Sequence, residues 1–128
     1  RGGIILMSSM VAFQGTPYSA NYAATKAYVQ TLAEGIAVEL KPKGVDVLAA
    51  APGPVESGFS KRANMKMSMS LTPSQVGIPI LTALGRKTTV LPGFLTKLLV
   101  YSLRIVPRWG KVRIMEKVMG GMTEHQRK

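Results

Sequence analysis

The sequence predicts an α/β fold built on a parallel sheet, from three neighbouring patterns. Residues 2–9, GGIILMSS, form a short apolar run between glycines and serines, as expected for a strand buried on both faces. Residues 21–40 carry apolar side chains at helical spacing, and a second strand-like run follows at residues 44–53. A strand, a helix and a strand at this spacing form one βαβ unit, whose two strands run parallel.

The helix at residues 21–40 has the clearest pattern in the first half. One face carries apolar side chains at positions i, i+3, i+4, i+7, i+8 and i+11: Val29, Leu32, Ala33, Ile36, Ala37 and Leu40. Pro42 and Gly44 are expected to end it. Residues 11–19 are predicted to form a loop, and residues 55–70 are predicted to be irregular.

Residues 71–76, LTPSQV, contain a complete set of signals for the N-terminus of a second helix. Thr72 can serve as N-cap, Pro73 suits the first helical position, and Gln75 can complete a capping box. We expect this helix to end near Gly85, with a kink at Pro79.

The last third of the chain is predicted to be mainly helical. After a β-rich segment at residues 87–91, two helices are expected at residues 94–106 and 108–119, separated by a proline. We therefore divide the chain into a sheet-forming part, residues 1–92, and a basic, apolar helical extension, residues 93–128.

Composition narrows the possible chemistry and partners. The 128 residues include no cysteine, which excludes disulfides, zinc–thiolate sites and thiol nucleophiles, and suits a reducing, cytoplasmic compartment. The net charge is +11, and all the excess lies in residues 61–128, since residues 1–60 are balanced. This asymmetry suggests an anionic partner such as a membrane, a nucleotide or acyl-CoA, or else a solvated basic face. No nucleic-acid recognition module is visible, so nucleic acid is not a predicted partner.

Residues suited to proton transfer occur at the ends of both predicted strands. Ligands bind beyond the carboxyl ends of parallel strands, where Ser9 and the Pro52-Gly53 turn are expected to meet. Tyr22 and Lys26 share one helix face, and a nearby ammonium should lower the pKa of a phenol. Such a tyrosine can exchange a proton with a carbonyl or alcohol oxygen, which the serine could position.

Each of these features also has an ordinary structural interpretation. A Tyr and a Lys one turn apart are commonly a helix face, a serine pair can end a strand, and Pro-Gly-Pro can be a simple turn. Their occurrence together, in this order and within one βαβ unit, favours a catalytic site.

Residues 2–60 resemble the C-terminal halves of short-chain dehydrogenase/reductases. That family has an active-site Ser after a strand, a Tyr thirteen residues later and a Lys four residues further on, matched here by Ser9, Tyr22 and Lys26. Its next strand ends in Pro-Gly-x-Val-x-Thr, and this chain has PGPVES, in which Ser57 replaces Thr and keeps the hydroxyl.

The resemblance implies a Rossmann-type, doubly wound parallel sheet in three α/β/α layers, with extra C-terminal helices. It implies NAD(P)-dependent hydride transfer between nicotinamide and a ketone, an alcohol or a 3-oxoacyl substrate, with NADP(H) favoured over NAD(H) and no metal. Tyr22 would be the general acid/base, Lys26 would favour its phenolate and bind the nicotinamide ribose, and Ser9 would orient the substrate carbonyl. Further cofactor contacts would come from Pro52, Gly53, Val55 and Ser57.

The resemblance also carries expectations about the whole protein. The family's glycine-rich pyrophosphate turn is not visible, so we expect these residues to be the C-terminal half and to be inactive alone. A homodimer would form through the Tyr-bearing helix. The ending VLPGFLTKLLVYSLRIVPRWGKVRIMEKVM resembles a branch that includes 3-oxoacyl-CoA and 17β-hydroxysteroid reductases.

Three alternatives remain open on the sequence. The helices at residues 94–106 and 108–119 could lie in an anionic membrane interface, or could cover the core or the substrate pocket. Met65, Met67 and Met69 could form an apolar substrate lid, or only a mobile loop. The protein could also be a non-catalytic relative that serves as a binding scaffold.

Overall fold

The computed structural model describes residues 1–66 and 70–126 and confirms the predicted α/β fold. Three parallel strands lie side by side in chain order: β1 (Gly2–Met7), β2 (Val45–Ala50) and β3 (Thr89–Val90). β1 pairs with β2 over its full length, and Met7 lies opposite Ala50 at their carboxyl ends. The segments that follow these two strands therefore leave the sheet side by side.

Five helices are present among the described residues: α1 (Ala20–Leu40), α2 (Gly58–Arg62), α3 (Pro73–Ala83), α4 (Phe94–Leu103) and α5 (Arg108–Thr123). Short 3-10 turns occur at Met10–Phe13, Lys41–Lys43 and Glu124–Gln126. The second of these turns ends α1, and Gly44 closes it with a left-handed φ of 73° that suits glycine. No helix in the described ranges is both long enough and apolar enough to cross a membrane.

Alternating side chains of β2 build the three layers. Val47 and Ala49 pack with Ala33 and Ala37 of α1, on one face of the sheet. On the other face, Leu48 and Ala50 pack with three buried residues of α3, Val76, Ile80 and Ala83. Because successive strand residues point to opposite faces, this buried strand holds helices on both sides of the sheet.

The helices α4 and α5 cover the start of α1 and the 3-10 turn that follows β1. Their buried side chains form a cluster with Val11 and Ala23: Leu103, Met115 and Met119. The inner faces of both helices thus belong to the core, as one of the two alternatives expected. The division of the chain at residues 92 and 93 remains a prediction.

Two local expectations need correction. β1 is not buried on both faces, because it is an edge strand in the described chain and leaves Ile4 and Met7 39% and 48% exposed. Residues 55–70 are not wholly irregular, since α2 forms there. Ser57 caps this short helix by accepting a hydrogen bond from the Phe59 N–H at 3.3 Å. By contrast, α3 begins with the predicted capping box, and it continues past Pro79.

Candidate active site

A cavity of about 1500 Å³ lies beyond the carboxyl ends of β1 and β2. Its walls include all seven residues that the sequence singled out: Ser9, Tyr22, Lys26, Pro52, Gly53, Val55 and Ser57. The parallel register of the two strands and the start of α1 bring these separate parts of the chain to one surface.

Tyr22 and Lys26 lie one turn apart near the start of α1. The Lys26 ammonium lies 5.7 Å from the centroid of the Tyr22 ring, and its Nζ donates a hydrogen bond to the Met7 carbonyl at 2.9 Å. This bond ties the lysine to the last residue of β1. The other side of the site contains Phe59 of α2, whose ring centroid is 5.5 Å from that of Tyr22.

The two serines after β1 have different partners. Ser8 Oγ donates to the Lys26 carbonyl at 3.3 Å, and so joins the strand end to α1. Ser9 Oγ accepts a hydrogen bond from the Val11 N–H at 3.4 Å and caps the 3-10 turn. That bond uses an oxygen lone pair, so the Ser9 hydroxyl keeps its hydrogen for a ligand in the cavity. The strand-ending role and a ligand-binding role are therefore compatible at Ser9.

The turn after β2 is held by the segment that leads into α3. Glu56 N–H donates to the Leu71 carbonyl at 2.7 Å, and Leu71 N–H donates to the Pro54 carbonyl at 2.9 Å. These two bonds bracket Val55, whose own N–H and C=O have no hydrogen-bond partner among the described residues. A peptide donor and a peptide acceptor are thereby left at the cavity wall.

Gly53 marks a close approach between this turn and α4. A Cβ atom at this position would lie 2.6 Å from Thr96 Oγ1 and 3.2 Å from Met10 Sδ. Only a residue without a side chain fits here, which explains the glycine in structural terms.

Several wall residues were not foreseen from the sequence. Phe59 was missed because α2 is too short to show a helical period, although the Ser57 hydroxyl two residues earlier is a cap signal. The remaining walls are mostly apolar side chains of α3, α4 and α5, among them Leu81, Leu95, Leu99, Val118 and Met122. Met65 also lines the cavity, whereas Met67 and Met69 of the predicted lid lie outside the described residues.

Charged groups suited to metal binding are absent from this site. Within residues 1–66 and 70–126, no group of three or more His, Asp or Glu side chains could hold a metal ion. Asp46, at the amino end of β2, does not line the cavity. Hydrogen bonds from Lys41 and then Arg1 lower its pKa below the ordinary value of 3.8.

A parallel sheet with α1 on one face and α3 on the other has the three α/β/α layers of a Rossmann-type fold, and the cavity holding Tyr22, Lys26 and Ser9 lies beyond the carboxyl ends of its strands. The chain belongs to the short chain dehydrogenase family, because the family model matches residues 1–68.

Named relatives agree with this assignment. The chain is 34% identical over 96 residues to a very-long-chain 3-oxoacyl-CoA reductase of Lodderomyces elongisporus, covering 75% of this chain and 27% of the relative. It is 33% identical over 89 residues to an uncharacterised oxidoreductase of Staphylococcus aureus, covering 70% and 38%. The chain therefore spans well under half the length of these two curated relatives.

Solved structures have the same architecture. A 7β-hydroxysteroid dehydrogenase superposes with a TM-score of 0.78 at 26% identity, over 90% of this chain and 48% of the other. A short chain dehydrogenase from Burkholderia cenocepacia, solved in complex with NADP, gives a TM-score of 0.74 at 25% identity, over 87% and 46%.

Proposed function

We propose that the protein is an NAD(P)-dependent oxidoreductase that interconverts a carbonyl and an alcohol, with Tyr22 as the general acid/base. The observation that carries this proposal is the shared cavity on which Tyr22, Lys26 and Ser9 lie. Among the described residues that line the cavity, the polar side chains suited to this chemistry are a phenol, an ammonium and hydroxyls.

In the reducing direction, Tyr22 gives its phenolic proton to the carbonyl oxygen, and the O–H bond of the alcohol forms. The nicotinamide, when bound, supplies the hydride that the carbonyl carbon accepts. Ser9 donates its free hydroxyl hydrogen to the same oxygen and fixes its position. Lys26 holds its positive charge beside the ring and stabilises the phenolate that is left. In the oxidising direction, Tyr22 takes the proton back.

The turn after β2 offers hydrogen-bonding groups that suit the carboxamide of a nicotinamide. A carboxamide offers both a donor and an acceptor, and the unpartnered N–H and C=O of Val55 complement it. Pro52 and Gly53 shape this wall, and Ser57 adds a hydroxyl. We propose NADP(H) in preference to NAD(H), supported by the NADP in the Burkholderia relative.

The substrate that we propose is a hydrophobic ketone or a 3-oxoacyl thioester. The largely apolar walls from α3, α4 and α5 support this class, as does the name of the Lodderomyces relative. We also propose a homodimer through α1, whose Leu32 and Val38 are exposed and do not line the cavity. We propose a cytoplasmic location, and we expect the 128 residues alone to be inactive.

The test is Tyr22→Phe in the complete protein that contains this chain. Turnover of NADPH with a 3-oxoacyl thioester or a bulky ketone should fall by roughly 100-fold or more, since proton transfer is lost. Binding of NADPH, measured by its fluorescence, should persist. Tyr28→Phe is the matched control, because this ring lies on the same helix outside the cavity, and it should keep full turnover.

Two results would count against the proposal. Unchanged turnover in Tyr22→Phe would exclude this residue as the acid/base. Failure of the wild-type protein to bind either NADPH or NADH would instead favour the non-catalytic scaffold.

A further inference from the structure

An apolar row runs along the outer face of α4 and continues just past its end. Its side chains follow helical spacing, i, i+4, i+7 and i+11, and are between 52% and 89% exposed: Phe94, Leu98, Tyr101 and Ile105. The opposite face of the same helix is buried through Thr96, Val100 and Leu103. The helix is therefore apolar on two faces, of which the core covers one.

Basic side chains accompany this outer row. Residues 94–119 contain six bases and a single acid, Glu116. Lys97 and Arg104 flank the row and line a small cavity of about 220 Å³ together with Lys87. The Arg104 guanidinium lies 4.5 Å from the Tyr101 ring centroid, so the charge stays beside the apolar row.

Glu34 also lines this small cavity, but neither Lys97 nor Arg104 forms an ion pair among the described residues. Both ion pairs formed among the described residues involve Asp46, at the amino end of β2. At the start of α5, Trp109 is 68% exposed and lies 5.8 Å from the Arg113 guanidinium. Exposed aromatic and aliphatic side chains flanked by Lys and Arg match the chemistry of a bilayer interface, where the apolar groups enter and the cations meet phosphates.

We propose that the outer face of α4 and the start of α5 dock on an anionic lipid surface. An acidic protein would match the charge, but four protruding apolar side chains in one row need an apolar medium, which a lipid interface provides. The helix would then lie in the plane of the interface, with Lys97 and Arg104 at the level of the headgroups.

This placement has a consequence for access to the large cavity. Phe94 and Leu98 belong to the outer row and also line the cavity that holds Tyr22. The cavity therefore meets the docking surface, and a substrate with a long apolar chain can pass between lipid and site without crossing water. Only this delivery step rests on the proposed function, because docking itself requires no catalysis.

The test is co-sedimentation of the protein with phosphatidylcholine vesicles, with and without phosphatidylserine. Binding is expected to the anionic vesicles and to weaken as salt is raised. The pair Lys97→Gln and Arg104→Gln should weaken it roughly fivefold per lost base. The pair Lys43→Gln and Lys61→Gln removes the same charge from other exposed sites and should have little effect.

A second variant and its matched control test the apolar contribution to vesicle binding. Ile105→Ser should weaken vesicle binding several-fold, whereas Ile78→Ser changes another exposed isoleucine, on α3, and should not. Equal binding to neutral and anionic vesicles, or equal effects of the variants and their controls, would overturn the proposal. So would a lipid-free dimer that Ile105→Ser dissociates, because a second copy would then cover the row. None of these readouts depends on turnover, so they stand apart from the test of Tyr22.

Discussion

Replacing Gly53 with alanine should destabilise the fold, because the turn after β2 has no room for a side chain. The added Cβ would lie 2.6 Å from Thr96 Oγ1 and 3.2 Å from Met10 Sδ, and both distances are shorter than ordinary van der Waals contact. Thr96 is buried on α4, and its short side chain cannot swing away as a longer one would. Either the turn or the helix must therefore move.

Overpacking of this kind costs about 1–3 kcal/mol of unfolding free energy. Urea denaturation followed by circular dichroism would measure the loss in Gly53→Ala. The cause can be isolated with Thr96→Ala, since removing Oγ1 leaves Thr96 Cβ at an acceptable 3.8 Å from the new methyl group. In the Thr96→Ala background, Gly53→Ala should reduce the unfolding free energy by at least about 1 kcal/mol less than it does in the wild type. A double-mutant cycle measures this coupling.

Gly35→Ala is the matched control, since it makes the same chemical change with the opposite expected sign. Gly35 lies inside α1, and an added Cβ would meet no atom within 4 Å. Alanine is the better helix former, so this variant should gain up to about 1 kcal/mol. Wild-type stability in Gly53→Ala, or the same loss with and without Thr96 Oγ1, would refute the steric explanation.

Two further predictions concern stability away from the cavity. Thr72→Ala should lose about 1 kcal/mol in the same urea assay, because it removes one half of the capping box with Gln75, whereas Thr72→Ser should keep most of it. Asp46→Asn should lower the melting temperature at neutral pH, because it removes the negative charge that pairs with Lys41 and Arg1 and replaces one of the two carboxylate oxygens with a donor. The folded-state pKa of Asp46 lies below 3.8, so its stabilisation is complete above that pH and is lost as the pH falls further. The two melting temperatures should therefore converge in acid, and a gap that persists there would contradict this assignment.

The sequence predicted best where local chemistry and burial agree. The start of α3 could be predicted because Thr72, Pro73 and Gln75 each satisfy a different backbone requirement of a helix N-terminus. The end of α1 could be predicted because Pro42 and Gly44 restrict the backbone conformation there. The alternation that packs β2 on both sides also follows from its continuous apolar run.

The features that the sequence did not predict depend on contacts between residues that are distant in the chain. The exposure of β1 is set by its place at the sheet edge, which an apolar run does not encode. The apolar walls of the cavity come from three later helices whose packing angles have no local signal. Similarly, Gly53 approaches Thr96, which lies on a different element, and the sequence Pro-Gly-Pro does not predict this contact.

The position of β1 also has a practical consequence for handling the chain. Along its outer side, β1 has no strand partner among the described residues, so its outward backbone N–H and C=O groups remain available. Ile4 and Met7 add exposed apolar side chains along that strand. Such an edge is a template for pairing between molecules, and the high positive charge of the chain opposes it only while salt is low. Concentrated, high-salt solutions should therefore favour aggregation, and a charged substitution at Ile4 should reduce it.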